Sequence, residues 1–360
     1  MTGAGHVLWL EECGPDAAPL VGGKALGLGH LVRQGHRVPP GFAVTTAAYT
    51  EALAAAGRPV TVGDRLAAEI AAAYRRLGGD DGVPVAVRSS ATAEDTAEAS
   101  FAGQQDTYLW VRGAEAVVDH VTRCWASLFT SRAVAYRAQL GIGDDEIAMG
   151  VVVQAMVPAE AAGVLLTLDP LTGDRSQVTI EAAYGLGTAV VEGEVTPDRF
   201  AVDKVTLELR SRSVGEKAVA YRFDPAAGRV ARVEVAEADR VRPCLEDAEV
   251  AELAALGKQV EQALGVPQDI EWAVGPGPAG GRELWLLQAR PETVWSRRPR
   301  QAVVPAGTSV MDRMLGYLGR PAAPGPDPPG DHPDGPPDPP DPPGDHPGGP
   351  PDPPGGPEPD

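Results

Sequence analysis

The segment from Gln268 to Pro291 reads QDIEWAVGPGPAGGRELWLLQARP. Two runs of strand-forming residues, Gln268 to Val274 and Glu283 to Arg290, flank a stretch rich in glycine and proline. Strand-forming runs separated by turn residues predict two strands joined by a turn. This segment carries the most informative polar pattern in the chain, and the remaining motifs are best understood from it.

Alternation along the two strands divides their side chains between a polar and an apolar face. Asp269 and Glu271 share one face of the first strand, and Gln288 and Arg290 share one face of the second. If the strands pair, two carboxylates, an amide oxygen and a guanidinium converge. Magnesium typically takes one or two carboxylates plus phosphate oxygens, and arginine neutralises phosphate charge. The alternative is a solvated polar face on an edge hairpin, but the mixed charge types beside aromatic and aliphatic anchors favour a cleft.

Outward from this segment, helical and strand patterns alternate along the chain. The spacing predicts helices over Ala25 to Gln34 and Ala114 to Leu140, and an amphipathic helix over Asp247 to Leu264. The pattern leaves open whether the second of these helices is broken once. Strand patterns lie between these helices and dominate the middle of the chain, from Ile147 to Val235. This mixture predicts an α+β fold rather than an all-parallel sheet.

Composition separates a globular body from a C-terminal tail. The chain has 360 residues and a formal charge of −19, and the last 40 residues hold 19 of its 36 prolines, 9 acidic residues and no Lys or Arg. Such a segment has little to bury and loses backbone donors at each proline, so residues 321–360 are expected to be a disordered low-complexity tail. Residues 301–320 are expected to form a linker with a short helix. The sequence leaves open whether the tail is a linker, a solvating segment or a coding artefact.

The body excludes several classes of protein. Without the tail its charge is about −10, which argues against nucleic acid or an anionic membrane as partner. No stretch resembles a membrane span or a secretory signal. Cys13, Cys124 and Cys244 each lie more than 100 residues from the next, which suits neither a disulfide framework nor a zinc cluster. We therefore expect a soluble, cytoplasmic protein.

Three further clusters are typical of phosphate binding, although each has an ordinary alternative. Gly22-Gly23-Lys24 precedes a helix and could bring backbone and charge to a phosphate, or it could be a turn with a solvated lysine. Arg88-Ser89-Ser90 suits bidentate phosphate contact or a plain strand exit. The small-residue stretch from Ser100 to Thr107 could fold over phosphates or form a β-turn.

Eight motifs in sequence order resemble the N-terminal domain of the dikinases, the family of phosphoenolpyruvate synthase (pyruvate, water dikinase), pyruvate phosphate dikinase and rifampin phosphotransferase. They are GGK (22–24), VPPGF with TTAAY (38–49), RSSATAED (88–95), SFAGQQ (100–105), GVLLTLDP (163–170), YGLG (184–187), DIE (269–271) and QARP (288–291). The resemblance extends from about Val7 to Arg297. It implies an ATP-grasp type, two-lobed nucleotide-binding domain over residues 1–300, with lobes of roughly 1–110 and 111–300.

The resemblance also assigns site residues. It implies that Arg88, Arg290 and Glu271 are catalytic and that Glu271 and Gln288 hold Mg²⁺. The residues that it implies for ATP binding are Lys24, Arg88, Ser100, Ala102, Gly103, Gln154, Glu181, Asp269 and Arg290. Phosphoryl transfer needs positioning and charge neutralisation, and this set of cations, carboxylates and Mg²⁺ can provide both.

In the family, such a domain passes the pyrophosphoryl group of Mg-ATP to a histidine on a swivelling domain and releases AMP. None of the six histidines here has the small-residue context of that phosphorylated histidine, so we expect a phosphotransferase that needs a separate phosphohistidine or acceptor protein. The alternatives are a rifampin phosphotransferase-like small-molecule kinase and a non-catalytic nucleotide-binding protein. The acceptor, the partner and the oligomeric state stay open.

Overall fold

A computed structural model describes residues 5–78, 82–91, 107–140, 147–277 and 280–296. All of them belong to one compact unit, Met1–Pro299. The expected linker at 301–320 and the tail at 321–360 lie outside the described residues. None of the helices in the described ranges combines the length and the apolar composition that a bilayer crossing needs.

The unit contains helices and strands in mixed order, which confirms the mixed class that the sequence predicts. The helices are α1 (Ala18–Arg33), α2 (Thr46–Ala56), α3 (Asp64–Gly78), α4 (Ala114–Ser127), α5 (Ser131–Leu140), α6 (Thr188–Val191), α7 (Glu237–Arg240) and α8 (Asp247–Leu264). The strands are β1 (Val7–Trp9), β2 (Gly41–Val44), β3 (Val85–Ala91), β4 (Thr107–Val111), β5 (Met149–Ala155), β6 (Ala161–Leu166), β7 (Gln177–Tyr184), β8 (Asp198–Asp203), β9 (Leu209–Ser213), β10 (Val219–Asp224), β11 (Arg229–Glu234), β12 (Gln268–Pro276) and β13 (Arg282–Pro291).

The first sheet has five antiparallel strands in the order β1-β2-β5-β3-β4. One face packs against α2, α3 and α4 through a core that includes Phe42, Tyr49, Ile70, Trp125 and Val151. The opposite face is covered by α1, whose apolar side chains pack against the alternate residues of β2 and β5. Residues of α4 and β5 thus belong to the first sheet and its core, although they follow residue 110, where the sequence suggested a lobe border.

The second sheet has six antiparallel strands in the order β13-β12-β6-β7-β8-β9. Helix α8 packs on one face, where its buried residues, Leu253 among them, meet Leu165, Ile180 and Ile270. Because side chains alternate, the other face carries Glu271 and its polar neighbours. The predicted amphipathic helix over Asp247 to Leu264 is confirmed as α8, which starts with a capping box and ends at the left-handed Gly265.

Two contacts join the first sheet to the rest of the unit, one to the second sheet and one to the separate two-stranded sheet β10–β11. Helix α1 lies on the first sheet and also touches β13, where an added Cβ at Gly27 would lie 2.4 Å from the carbonyl oxygen of Ala289. On another side, Trp110 of β4 stacks on Phe223 of the β10–β11 hairpin, with ring centroids 4.8 Å apart and planes within 13°. The helix contact brings the residues after Gly22 beside the polar face of the second sheet.

A fully buried ion pair between Lys217 and Asp198 holds the segment before this hairpin against β8. The Nζ of Lys217 donates to Asp198 Oδ1 at 2.5 Å and to the carbonyl oxygens of Gly215 and Arg240, and neither charged side chain is exposed. The other oxygen of Asp198 accepts the amide of Cys244. Every charge in this cluster therefore has hydrogen-bonding partners, as burial requires.

Candidate functional site

The polar face of the β12–β13 pair has the register that the alternation predicts. Glu271 lies directly opposite Gln288, and Asp269 lies directly opposite Arg290. The guanidinium of Arg290 donates to Asp269 Oδ2 at 2.9 Å from Nε and 2.8 Å from Nη2. A bulge follows at once, because Trp272 pairs with Leu286 and leaves one extra residue on β13. The four predicted residues are thus neighbours on one face.

Arg88 reaches this face from the other sheet. Its Nη2 donates to Glu271 Oε2 at 2.7 Å, although the two residues are 183 positions apart in sequence. The side chain of Arg88 is 12% exposed and that of Glu271 is 29% exposed, so the pair is only partly screened by water. This ion pair joins β3 of the first sheet to β12 of the second.

Lys24 adds a further cation from α1. The helix is interrupted at Gly22, whose φ of 74° and ψ of 174° are not helical, and Lys24 lies two residues beyond. The sequence predicted a helix that begins only at Ala25, with the glycine pair as a turn before it. A helix does follow the kink at Gly22, and the sequence missed only the helical segment from Ala18 that precedes it.

The two carboxylates of β12 have opposite pKa shifts. Burial raises the pKa of Glu271, but the charges of Arg88, Arg290 and Lys24 outweigh it and leave the pKa below its usual value. At Asp269 burial dominates and the pKa is raised, despite the opposing charge of Arg290. Glu271 is therefore the carboxylate of this pair that the surrounding cations hold ionised.

Two buried polar atoms point to a missing partner at this place. Arg88 Nε and Gln288 Oε1 have no hydrogen-bond partner within the described ranges, and Gln288 is only 4% exposed. Buried polar atoms are normally paired, so each orphan calls for a ligand, an ion or water. The described residues contain no group of three or more His, Cys, Asp or Glu side chains placed to hold a metal ion. A cation held by Glu271 and Gln288 would therefore need further ligands, such as phosphate oxygens.

Gln154 and Glu181, the two less specific candidates, lie at the margins of the same region. Gln154 is buried on β5, on the same face of the first sheet as Arg88, and its Nε2 donates to the carbonyl oxygen of Pro39 at 3.2 Å. Glu181 lies on β7, in one row across the second sheet with Val164 and Glu271. Two strand spacings separate Glu181 from Glu271, roughly 10 Å. The predicted residues Ser100, Ala102 and Gly103 lie outside the described residues.

An apolar patch continues the polar face toward the segment that joins the two sheets. Val157, Ala162 and Ala273 are buried there and pack with Trp285 and Leu287. Ala273 follows Glu271 by two residues on the same strand, so both project to the same side. The sequence analysis did not assign these residues a role, although the alternation of β12 contained the signal.

Comparison with known proteins identifies relatives over most of the chain. A family model described as the pyruvate phosphate dikinase AMP/ATP-binding domain matches residues 58–308, a range that contains Arg88, Glu271, Gln288 and Arg290 but not Lys24.

Individual relatives extend the similarity. A phosphoenolpyruvate synthase from Aeropyrum pernix is 39% identical and covers 89% of this chain. A probable phosphoenolpyruvate synthase from Methanothermobacter thermautotrophicus is 41% identical over the same share, and a phosphoenolpyruvate synthase from Pyrococcus furiosus is 36% identical over 80%. The match takes up 46%, 50% and 44% of these three relatives. The chain therefore spans about half the length of the curated relatives that it matches.

Proposed function

This chain belongs to the family of the pyruvate phosphate dikinase AMP/ATP-binding domain, and from that premise we propose that it binds Mg-ATP and transfers the pyrophosphoryl group to a histidine on a separate domain or subunit. The observation that carries the proposal is the contact of Arg88 with Glu271 beside Gln288, which concentrates cations and metal-type ligands at one place between two sheets.

The cations of the site suit the triphosphate. Lys24 on α1, Arg88 on β3 and Arg290 on β13 all lower the pKa of Glu271, so three separate elements bring positive charge to this carboxylate. Arginine presents a planar fork of donors to phosphate oxygens, and lysine adds a point charge. Since Arg88 Nε has no partner in the described part of the chain, part of its donor capacity is open to a ligand. We assign Arg88 and Arg290 to charge neutralisation during transfer, and Glu271 to a catalytic role in the same site.

The neighbouring apolar patch suits the base. The partly buried Leu287 gives the face that carries the charged residues an apolar surface, and it packs against the buried Ala162 and Ala273. Nucleotide sites typically combine such a surface with a few polar groups that fix orientation. We therefore place the base over this patch and the phosphates over the β12–β13 polar residues, with Gln154, Glu181 and Asp269 around the nucleotide.

Glu271 and Gln288 have the chemistry of magnesium ligands. Glu271 is held ionised by its cationic surroundings, and the orphan Oε1 of Gln288 faces it across the strand pair. Mg²⁺ prefers oxygen ligands and commonly takes only one or two from protein beside phosphate oxygens. The ion would neutralise charge on the transferring phosphates. The residues present therefore fit the metal.

The architecture suits an ATP-grasp type domain over residues 1–300, with one lobe built on each sheet and the nucleotide between them. We draw the border after β5 rather than near residue 110, because β5 hydrogen-bonds within the first sheet. Ser100, Ala102 and Gly103 stay in the proposal as a loop over the phosphates.

Two reactions separate this function from its alternatives. ATP labelled at the γ-phosphate is incubated with the chain alone, and with the chain plus the unmatched half of the Aeropyrum pernix phosphoenolpyruvate synthase. Pyrophosphoryl transfer breaks the bond between the α- and β-phosphates, so we expect AMP release and a labelled partner only in the second reaction, and neither with Glu271→Ala. AMP release at full rate by the chain alone would contradict the proposal, and so would ATP binding that Glu271→Ala and Gln288→Ala leave unchanged.

A further inference from the structure

At the kink of α1, a side chain from another strand bonds to the helix backbone on both sides of Gly22. Ser90, on β3, is fully buried, and its hydroxyl donates to the carbonyl oxygen of Val21 at 2.8 Å. The oxygen of the Ser90 hydroxyl in turn accepts a hydrogen bond from the backbone amide of Ala25 at 3.3 Å. In an uninterrupted helix the amide of Ala25 would bond directly to the carbonyl of Val21. The serine hydroxyl is therefore inserted into the hydrogen-bond ladder of α1, and such an insertion bends a helix.

Only a residue without a side chain leaves room for Ser90 at position 22. Its φ of 74° is a conformation that side chains disfavour, and an added Cβ would lie 2.2 Å from the carbonyl oxygen of Ser90. The kink thus depends on two matched features, a glycine in α1 and a hydroxyl in β3. Both are buried, so water cannot readily take the place of the hydroxyl.

The insertion links two cations of the proposed site. Lys24 lies on the segment of α1 between the two atoms that Ser90 holds, Val21 O and Ala25 N. Arg88 lies two residues before Ser90 on β3, so both side chains project from the same face of the strand. One strand therefore carries Arg88 directly and fixes the backbone of Lys24 through Ser90.

We infer that Ser90 is a positioning residue, which sets Lys24 relative to Arg88 for binding the β- and γ-phosphates. The inference rests on the proposed function, because it assumes that Lys24 contacts the triphosphate. Without the hydroxyl, the carbonyl of Val21 and the amide of Ala25 can approach each other directly, and the turn that carries Lys24 relaxes. AMP has no β- or γ-phosphate, so its binding should not depend on this arrangement.

Ser89 provides a matched control. It is buried on the same strand, but its side chain projects to the opposite face, and its hydroxyl has no hydrogen-bond partner within the described ranges. Ser89→Ala therefore removes a buried hydroxyl from β3 without touching α1.

The experiment compares the affinities of the full chain for ATP and AMP, both with Mg²⁺, in the wild type, Ser90→Ala and Ser89→Ala. We expect Ser90→Ala to weaken ATP binding about tenfold, the effect of impairing one charge-assisted hydrogen bond, and to change AMP binding less than about twofold. Ser89→Ala should leave the ratio of ATP affinity to AMP affinity, the ATP to AMP ratio, unchanged. In a Lys24→Ala background, Ser90→Ala should have no further effect on that ratio, because the two changes act on one interaction.

The other outcomes distinguish failure of the proposed function from failure of the inference about Ser90. A wild-type chain that does not bind ATP would overturn the proposed function and the inference with it. A wild type that binds ATP, with a Ser90→Ala variant that loses ATP and AMP affinity equally or keeps both, would overturn the inference alone. If Ser90→Ala does not fold by circular dichroism, Ser90→Thr and Ser90→Cys replace it. The hydroxyl of threonine should then preserve the ATP to AMP ratio and the weakly bonding thiol should lower it; equal ratios would overturn the inference.

Discussion

The contact between α1 and β13 predicts that a helix-favouring substitution will damage this protein. Gly27 lies inside α1, where alanine would ordinarily be preferred by about 0.8–1.0 kcal/mol. An added Cβ at Gly27, however, would lie 2.4 Å from the carbonyl oxygen of Ala289. Ala289 lies between Gln288 and Arg290, so the contact sets the distance between the helix of Lys24 and the strand that bears both residues.

The size of the effect follows from that distance. An ordinary carbon–oxygen contact is about 3.3 Å or longer, so α1 would have to move away from β13 by about 1 Å. The obstacle is backbone and cannot rotate aside. Overpacking of this kind costs about 1–3 kcal/mol, which exceeds the gain in helix propensity. We expect Gly27→Ala to lower the free energy of unfolding by up to about 2 kcal/mol and to weaken ATP binding about tenfold or more, because misplacement by 1 Å disrupts a preorganised site.

Urea unfolding and ATP titration measure both effects, and Gly257→Ala is the control. Gly257 lies inside α8, where an added Cβ would lie 2.5 Å from Cδ2 of Leu165, a side-chain atom that can rotate away. The free energy of unfolding of Gly257→Ala should stay within about 1 kcal/mol of the wild-type value, and its ATP affinity should be unchanged. A Gly27→Ala variant that is more stable than the wild type and binds ATP equally well would refute this reasoning.

Two further predictions concern the Lys217–Asp198 and Arg88–Glu271 ion pairs. Lys217→Met should lower the free energy of unfolding by about 3–5 kcal/mol, measured in urea, because it leaves the buried carboxylate of Asp198 without its cation. Adding Asp198→Asn should recover part of the loss, and a Lys217→Met variant as stable as the wild type would contradict the prediction. The pKa of Glu271 is lowered in the folded state, so its carboxylate stabilises the fold above an unfolded pKa of about 4.3, and this contribution is lost as pH falls through the lower folded value. The stability difference between wild type and Glu271→Gln should therefore shrink on acidification in that range, and a difference that grows would be the opposite result.

Local patterns predicted the parts of the structure that depend on neighbours in sequence. Helix α8 has the predicted bounds because its periodicity, its capping box and its terminal glycine all lie within the segment. The facing of Glu271 and Gln288 followed from alternation in two strands joined by a short turn. The predicted helical region from Ala114 to Leu140 is divided into α4 and α5, a break that the sequence left open.

The remaining features depend on packing between distant segments. No spacing rule brings Arg88 to Glu271, because the contact requires the two sheets to meet. The hydroxyl that contacts the kink of α1 comes from Ser90, 69 residues from its acceptor Val21, so local spacing predicted the helix after the glycine pair but not the helical segment before it. The bulge on β13 shifts the pairing with β12 by one residue, which a strict period of two does not predict.

The most direct test of the Mg-ATP site is calorimetric titration of ATP into the full chain with and without Mg²⁺. The variants are Glu271→Ala and, as a control, Asp119→Ala, which removes an exposed carboxylate on α4. We predict that Mg²⁺ strengthens ATP binding to the wild type and to Asp119→Ala by about tenfold or more, and that Glu271→Ala loses this metal dependence, since the substitution removes a metal ligand and frees Arg88 for the phosphates. Equal ATP affinity with and without Mg²⁺ in the wild type, or an unchanged metal dependence in Glu271→Ala, would contradict the account.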